Sequence, residues 1–482
     1  MNLAEYASYD ALGLAELVAR KQVTPKELAR TAVAAREKID PVLKAVVELY
    51  EDRIDGLDET TLGNGPFRGV PLLIKDVFGH EKGRKIEFGS RLCAGMTVEV
   101  GTYFCDLLKA SGVNILGRSA APEYSMSATT ESAMFGNTSN PWKQGYSAGG
   151  STGGGQAAVT AGIVPIAHGS DIGGSIRIPA SWCGGVGLKP SRMRVSSGPV
   201  VDEGGWGYSM NFVQTRTVRD AAAMLDCVAI PQPGDPFVIP KPDEPCAALA
   251  RKPAPKLKVG IVLDELVGMP VDPEVARAVE AAGKTLAGMG HTVERAKVDM
   301  SGTDMLAAAF EVFFFGFDSR LDGYAKRSGH KVGPDTLEPV ILAVYEWSKG
   351  ITPARFIAAT GALNVVRRKL GAFYSKYDIW LSPTTSRVSE PWGRYNLSRP
   401  GIGPHNMFEE LFKPPCQYTL PHNIMGTPAM SLPLAMHSTG VPIGVQIAAR
   451  PAAEHLLLQL ATALEEAMPW KGRLPPLHVS KA

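Results

Sequence analysis

Apolar residues along this chain recur with two different periods. Leu28, Ala32 and Ala35 fall on one helical face. Thr24-Pro25-Lys26-Glu27 supplies the start signal for that helix, a capping box with proline at the first helical position. Elsewhere the apolar residues form short, nearly continuous runs. GVPLLIKDVF at 69–78 is one, with a lone lysine inside it, and GVNILG at 112–117 reads as a buried strand after a helix at about 101–111. YDIWLSPT at 377–384 reads as another. KVGIVL (258–263), PEVARAVEAAGKTLAGMG (273–290) and HTVERAKV (291–298) alternate strand, helix and strand, with Gly290 at the helix end. That alternation predicts an α/β fold whose parallel or mixed sheet has helical crossovers. MLAAAFEVFFFGF at 305–317 reads as a mostly buried helix. The proline-rich stretch 231–256 reads as a surface excursion rather than a linker between domains.

Composition narrows the class. At roughly 150 residues per domain, 482 residues allow three domains or one large enzyme domain. Lys plus Arg number 50 against 48 Asp plus Glu, a net charge of +2. No block of like charges suits a nucleic-acid backbone, so no nucleic-acid partner is expected. The start of the chain lacks a basic segment followed by an apolar one, and no run of about 18 apolar residues occurs, so neither export nor a membrane partner is expected. Cysteines at 93, 105, 183, 227, 246 and 416 lie far apart with no C-x-x-C pair, which points to reduced thiols in the cytoplasm and to no metal site. Glycine is unusual: 51 residues, many of them concentrated between 145 and 187, where Asp171 and Arg177 are the only charges. Such a segment suits backbone that must approach something closely.

Two glycine-flanked serines stand in that segment. Ser151 lies in Gly149-Gly150-Ser151-Thr152-Gly153-Gly154-Gly155, and Ser175 in Asp171-Ile172-Gly173-Gly174-Ser175-Ile176-Arg177. Glycines ahead of a serine let backbone N–H groups converge on a developing oxyanion, and the amides of Ile172, Gly173, Gly174 and Ser175 are the candidates. A serine nucleophile needs a base. His168 in AHGSDIGGS could serve Ser175, but reads better as a packed strand residue. G-x-S-x-G and H-E-x-x-H are absent, so neither an elbow-type serine hydrolase nor a metallohydrolase has support. Lys75 follows the apolar run Val70-Pro71-Leu72-Leu73-Ile74; burial there would lower its pKa toward that of a working base, whereas a strand-end lysine reaching solvent would do nothing. The rival reading of GGSTGGG is a phosphate loop in a nucleotide-binding module, but Gln156 follows Gly155 where that loop needs lysine.

Taken together, these segments resemble the amidase signature family. GVPLLIKD is similar to the family's lysine segment, SAGGSTGGG to its G-G-S-S-G-G element, and GSDIGGSIRIPASWCGGVGLKP to its nucleophile segment. IWLSPT at 379–384 and VPIGVQIAAR at 441–450 resemble downstream family segments. The resemblance implies one α/β domain over 1–482, with a mixed twisted sheet covered by helices and a signature core at about 65–200. It implies that Ser175 is the nucleophile, that Ser151, preceded by a cis peptide, shuttles protons, and that Lys75 is the base. Asp171 and Arg177 would orient the loop. No metal or other cofactor is implied. The expected partner is a small amide, with a homodimer as the form of self-association. Thr152 and Gly155 depart from the usual element. The whole pattern looks closest to the branch of 6-aminohexanoate-cyclic-dimer hydrolase and aryl acylamidases, on Ile166-Ala167-His168-Gly169, the RIPAS at 177–181 and the segment Glu465 to Trp470. The alternative within the family is the A subunit of the glutamyl-tRNA(Gln) amidotransferase type, a glutaminase feeding ammonia to a partner. Tyr124, Trp206, Tyr208, Phe314, Trp392 and Met425 lie in segments that could line a pocket.

Overall fold

In the computed structural model, which describes residues 1–481, the near-continuous apolar runs are strands buried on both faces. The strands are β1 (Val46–Leu49), β2 (Pro71–Lys75), β3 (Asn114–Ser119), β4 (Glu131–Ser132), β5 (Gly136–Asn137), β6 (Ser139–Asn140), β7 (Lys143–Ser147), β8 (Ile166–Asp171), β9 (Val186–Lys189), β10 (Met210–Thr215), β11 (Lys258–Ile261), β12 (Thr292–Arg295), β13 (Ile379–Pro383), β14 (Ala429–Met436) and β15 (Pro442–Ala449). Eleven of them form one mixed sheet in the order β1-β3-β2-β8-β10-β9-β14-β15-β13-β11-β12. The β2–β3, β2–β8, β11–β12 and β11–β13 pairs are parallel and the others antiparallel. Each parallel pair of sequence neighbours has the expected crossover helix: Tyr103–Ala110 between β2 and β3, and Pro273–Gly288 between β11 and β12.

Successive residues of a strand point to opposite faces, and the packing follows that rule. Ile379, Leu381, Ile447 and Ala449 join one core with the helices Pro25–Leu43, Gly153–Ala161, Val218–Val228, Pro273–Gly288 and Glu454–Ala467. Trp380 and Ala448, one position along, join a second core with Met305–Phe314, Phe317–Ser328, Pro339–Ser348, Pro353–Gly371 and Leu420–Met425. The capping box at Thr24 and Glu27 is formed in both directions. Residues 231–256 are mostly exposed, with only the short helix Cys246–Leu249.

Two expectations shift. The strand expected at 112–117 begins later, at Asn114, because Gly112 turns the chain at φ +96° after the preceding helix. The single helix expected over 305–317 is broken. Met305–Phe314 ends at an extended Phe315, Gly316 sits at φ +71°, and Phe317–Ser328 begins anew. The break matters because Phe313, Phe314 and Phe317, on either side of it, all line the same pocket.

A Cβ at Gly316 would meet nothing within 4 Å, so only the backbone conformation resists substitution there. Gly316→Ala should therefore cost about 1–2 kcal/mol, and Gly316→Asn clearly less, in urea unfolding of the two variants. Equal losses would show that space rather than conformation selects glycine.

Candidate active site

Lys75 is the last residue of β2, and β8 lies parallel beside it, with Leu72 opposite Ile166 and Leu73 opposite Ala167. This register carries Lys75 up to the end of β8. Its side chain is 1% exposed. Nζ donates to Ser151 Oγ at 2.7 Å and to Ser170 Oγ at 2.9 Å. Burial lowers its pKa from 10.5 to about 7, with Asp171 pulling weakly the other way. His168, on β8, accepts a hydrogen bond at Nδ1 from the Lys75 amide at 3.2 Å, and its Nε2 faces Asn211 Oδ1 at 3.3 Å. Burial drops its pKa to about 3, so the ring stays neutral and is engaged as a strand residue.

Ser151 sits in the turn before the helix Gly153–Ala161, and the Gly150–Ser151 peptide is cis. Glycine is required at 150: a Cβ there would fall 2.6 Å from the backbone of Ser127 and of Thr129. Ser175 lies in the turn between β8 and the helix Arg177–Cys183. The two serine turns are stitched together by Thr152, whose amide donates to Ser175 O at 3.2 Å and whose Oγ1 donates to Ser170 O at 3.3 Å. Thr152, a departure from the usual family element, thus bridges the two turns. Gly155, the other departure, packs closely, with its would-be Cβ 3.1 Å from Gln214 Oε1.

Asp171 and Arg177 form a fully buried, bidentate pair: Nη2 to Oδ1 at 2.8 Å and Nε to Oδ2 at 2.9 Å. Burial alone would raise the Asp171 pKa, but the charge and hydrogen bonds of Arg177 hold it at about 2. Asp171 also accepts from the Gly174 amide at 2.8 Å and the Ile176 amide at 3.2 Å. Arg177 reaches across to Thr419 O, Gln446 Oε1 and Asn423 Oδ1 at 2.8, 2.9 and 2.6 Å. The turn carrying Ser175 is therefore clamped from its own sequence and from segments more than 240 residues away.

The bond to Asp171 corrects one expectation. The Gly174 amide is spent on a carboxylate and is not free to face a ligand, whereas the amides of Ile172, Gly173 and Ser175 have no partner among the described residues.

A pocket of about 140 Å³ opens over Gly150, Gly173 and Ser175. Its walls are aromatic, including Phe88, Tyr124, Phe310, Phe314, Phe317 and Tyr324. Phe88 stacks on Tyr324 at 4.8 Å, and Tyr124 meets Phe317 edge-on at 5.8 Å. Of the six side chains expected near a pocket, Tyr124 and Phe314 line this one, and Trp206 lines an adjoining cleft that shares Gly205. Tyr208 is buried beneath the Arg192 guanidinium, Met425 packs against the second core, and the Trp392 indole donates to Thr138 O. Ser170 and most of the aromatic wall were not anticipated. Among the described residues no three His, Cys, Asp or Glu side chains group as a metal site, and no helix is long and apolar enough to cross a membrane.

The chain matches the family described as Amidase over residues 27–458. It is 35% identical to 6-aminohexanoate-cyclic-dimer hydrolase of Paenarthrobacter ureafaciens, over 97% of this chain and 96% of that protein. A solved structure of 6-aminohexanoate cyclic dimer hydrolase complexed with substrate has a TM-score of 0.91 at 32% identity, covering 98% of this chain and 99% of that one. A bacterial aryl acylamidase of the amidase signature family shares the fold, with a TM-score of 0.87 at 24% identity over 98% of both chains. The A subunit of glutamyl-tRNA(Gln) amidotransferase from a Picosynechococcus strain is 30% identical over 96% of this chain and 98% of that protein. A buried lysine and two serine turns meeting beneath an aromatic pocket, together with likeness over nearly the whole length, identify the chain as a member of the amidase signature family and an amide hydrolase.

Proposed function

We propose that the chain cleaves a carboxamide C–N bond through a seryl acyl-enzyme, with Ser175 as nucleophile, Ser151 as proton shuttle and Lys75 as base. The observation that carries this reading is the 2.7 Å contact between Lys75 Nζ and Ser151 Oγ, both of them buried. A neutral amine accepts a proton; an ammonium cannot. Burial brings the two forms of Lys75 into balance near neutrality, which is where a general base is most useful. Lys75 takes the Ser151 hydroxyl proton as Ser151 takes that of Ser175, and Ser175 Oγ attacks the substrate carbonyl. The amides of Ile172, Gly173 and Ser175 then hold the oxyanion. As the C–N bond breaks, the proton returns from the Lys75 ammonium through Ser151 to the departing nitrogen. Water attacks the acyl-enzyme, its proton follows the same relay, and the acid leaves with Ser175 reprotonated.

The pocket wall supports an apolar, aryl or cyclic and oligomeric amide as substrate, in line with the names of the cyclic-dimer hydrolase and aryl acylamidase relatives. A glutamine side chain would bring polar atoms that this wall of rings leaves largely unpaired, which argues against the amidotransferase role.

Ser175→Ala should lower turnover of an aryl amide by about 10³-fold or more, and intact-mass analysis should lose the acyl adduct. A variant retaining a few per cent of activity would remove Ser175 from this role. Lys75→Ala should cost about 10²–10⁴-fold. Lys75→Arg should be as slow, because a guanidinium keeps its proton.

The pH dependence has a definite sign. Lys75 is protonated and idle below its pKa of about 7, so kcat/KM should rise about tenfold per pH unit on the acid side and level off above 7. A profile rising through 10, or flat from 5 to 9, would exclude Lys75 as the base. The purified chain should hydrolyse aryl or cyclic amides without added protein, in preference to glutamine; glutamine as the better substrate in a steady-state comparison would favour the amidotransferase reading.

A further inference from the structure

The pocket over Ser175 does not end at its aromatic wall. Phe78, Phe88, Gly205, Arg320 and Tyr324 also line the adjoining cleft, of about 520 Å³, so they form the junction between the two spaces. Among the described residues Arg320 is the only charged side chain lining the pocket; every other polar group there is a hydroxyl, a sulfur or backbone. It stands on the helix Phe317–Ser328, three residues after Phe317 and four before Tyr324, so the three side chains share one helical face and meet the pocket together.

The Arg320 guanidinium is unspent. Among the described residues it makes neither an ion pair nor a hydrogen bond; its backbone amide alone is engaged, on Gly316 O at 3.1 Å. No acidic residue lies three or four positions from it along the helix, and Asp322 turns away to accept the Tyr345 hydroxyl at 2.8 Å. Arg327, the other guanidinium at the cleft, is occupied: it lies 3.6 Å from Glu99 and donates to Thr97 O at 3.2 Å. The other cleft carboxylates, Asp202 and Glu203, do not line the pocket. A charge carried into a ring-lined pocket loses water and needs a countercharge. Here only a negative one finds it, and a planar guanidinium matches a carboxylate with two parallel hydrogen bonds. A positive group would meet Arg320 with nothing in the pocket to offset the repulsion.

We propose that Arg320 sets specificity at the amide site by selecting substrates that carry a carboxylate away from the scissile bond, held at the junction of pocket and cleft. The inference rests on the Ser175 amide-hydrolase reading and narrows it, from apolar or aryl amides to those with one anionic end. The contact is made alike in the ground state and the transition state, so it acts on affinity more than on the chemical step.

The test measures binding to the full-length Ser175→Ala chain, in which an amide stays intact, by titration calorimetry with two pairs of ligands. Adipic acid monoanilide and its methyl ester place the charge on the acyl side; para-acetamidobenzoate and its methyl ester place it on the amine side. Expected is that the acid of at least one pair binds about fivefold tighter than its ester, the scale of a partly exposed ion pair, and that the preference fades as salt is raised. Arg320→Gln should erase the preference, Arg320→Glu should turn it against the acid, and Arg320→Lys should keep part of it; a merely structural role would weaken acid and ester together. With Ser175 in place, the ratio of the two kcat/KM values within that pair should follow the ratio of affinities, the difference lying in KM. Acids binding no tighter than their esters in both pairs, or a preference that survives Arg320→Gln, would overturn the assignment. Cleavage of these anilides by Ser175→Ala would count instead against the relay.

Discussion

An amine without water around it is the constraint on which this molecule turns. Lys75 is enclosed at the end of β2, between β3 and β8, and its only side-chain hydrogen-bond partners are two hydroxyls. Moving its titration from 10.5 to about 7 corresponds to roughly 5 kcal/mol at about 1.4 kcal/mol per tenfold change in equilibrium. A sheet edge or a loop could not supply that burial. The strand must be interior, both its neighbours must be in place, and the helices on both sides must close over it. The parallel β3-β2-β8 arrangement meets those demands, and the register of β2 on β8 also brings Ser170 and His168 to the same level.

A second buried charge is handled in the opposite way. Arg177 is fully enclosed, and Asp171 and three further oxygens from distant segments surround its guanidinium. A buried ion pair is weak evidence for stability, but removing one partner is severe because the other is left uncompensated. Here the pair fixes where the Ser175 turn lies relative to β15 and the helix Leu420–Met425. In the proposed relay the lysine changes charge during turnover, whereas the Asp171–Arg177 pair only holds the turn in place. The same low-dielectric interior serves both purposes because one group has neutral partners and the other a full countercharge.

Much of this was readable along the chain. The strand that bears Lys75 lies inside the apolar run 69–78, whereas β8, ahead of the Ser175 turn, was marked only by His168 reading as a packed strand residue. Both serines were marked by their glycines: Cβ atoms at Gly149 and Gly150 would strike the backbone of Pro179, Ser127 and Thr129, and Gly174 holds φ +133° against the Thr419 side chain. What escaped was set by tertiary geometry. Ser170 looks like any strand serine; only the pairing of β2 with β8 shows that it faces Lys75. The helix expected through 305–317 breaks because Gly316 takes a left-handed conformation, and one glycine in an apolar helical pattern did not announce that. The Gly174 amide was legible in principle: Asp171 stands three residues earlier, and a short carboxylate commonly captures an amide at that spacing.

The division between chemistry and selectivity follows from the same topology. Lys75, Ser151 and Ser175 all come from the first 175 residues, on strands and turns that the sheet holds rigidly. The pocket wall is shared: Phe78, Phe88 and Tyr124 come from the same part of the chain, whereas Phe310, Phe313, Phe314, Phe317 and Tyr324 come from two helices that meet at a glycine break, and Phe412, Cys416 and Leu420 from a segment near the Arg177 clamp. Helices packed on a sheet face can exchange side chains, or shift at a break such as Gly316, without disturbing strand register. The proposed relay requires atoms within hydrogen-bond reach, which suits residues on strands and tight turns. The wall requires only apolar area and shape, so it can sit where the chain has room to vary. Substrate preference in this molecule is therefore expected to follow the aromatic residues on either side of Gly316 far more than anything in the glycine-rich turns.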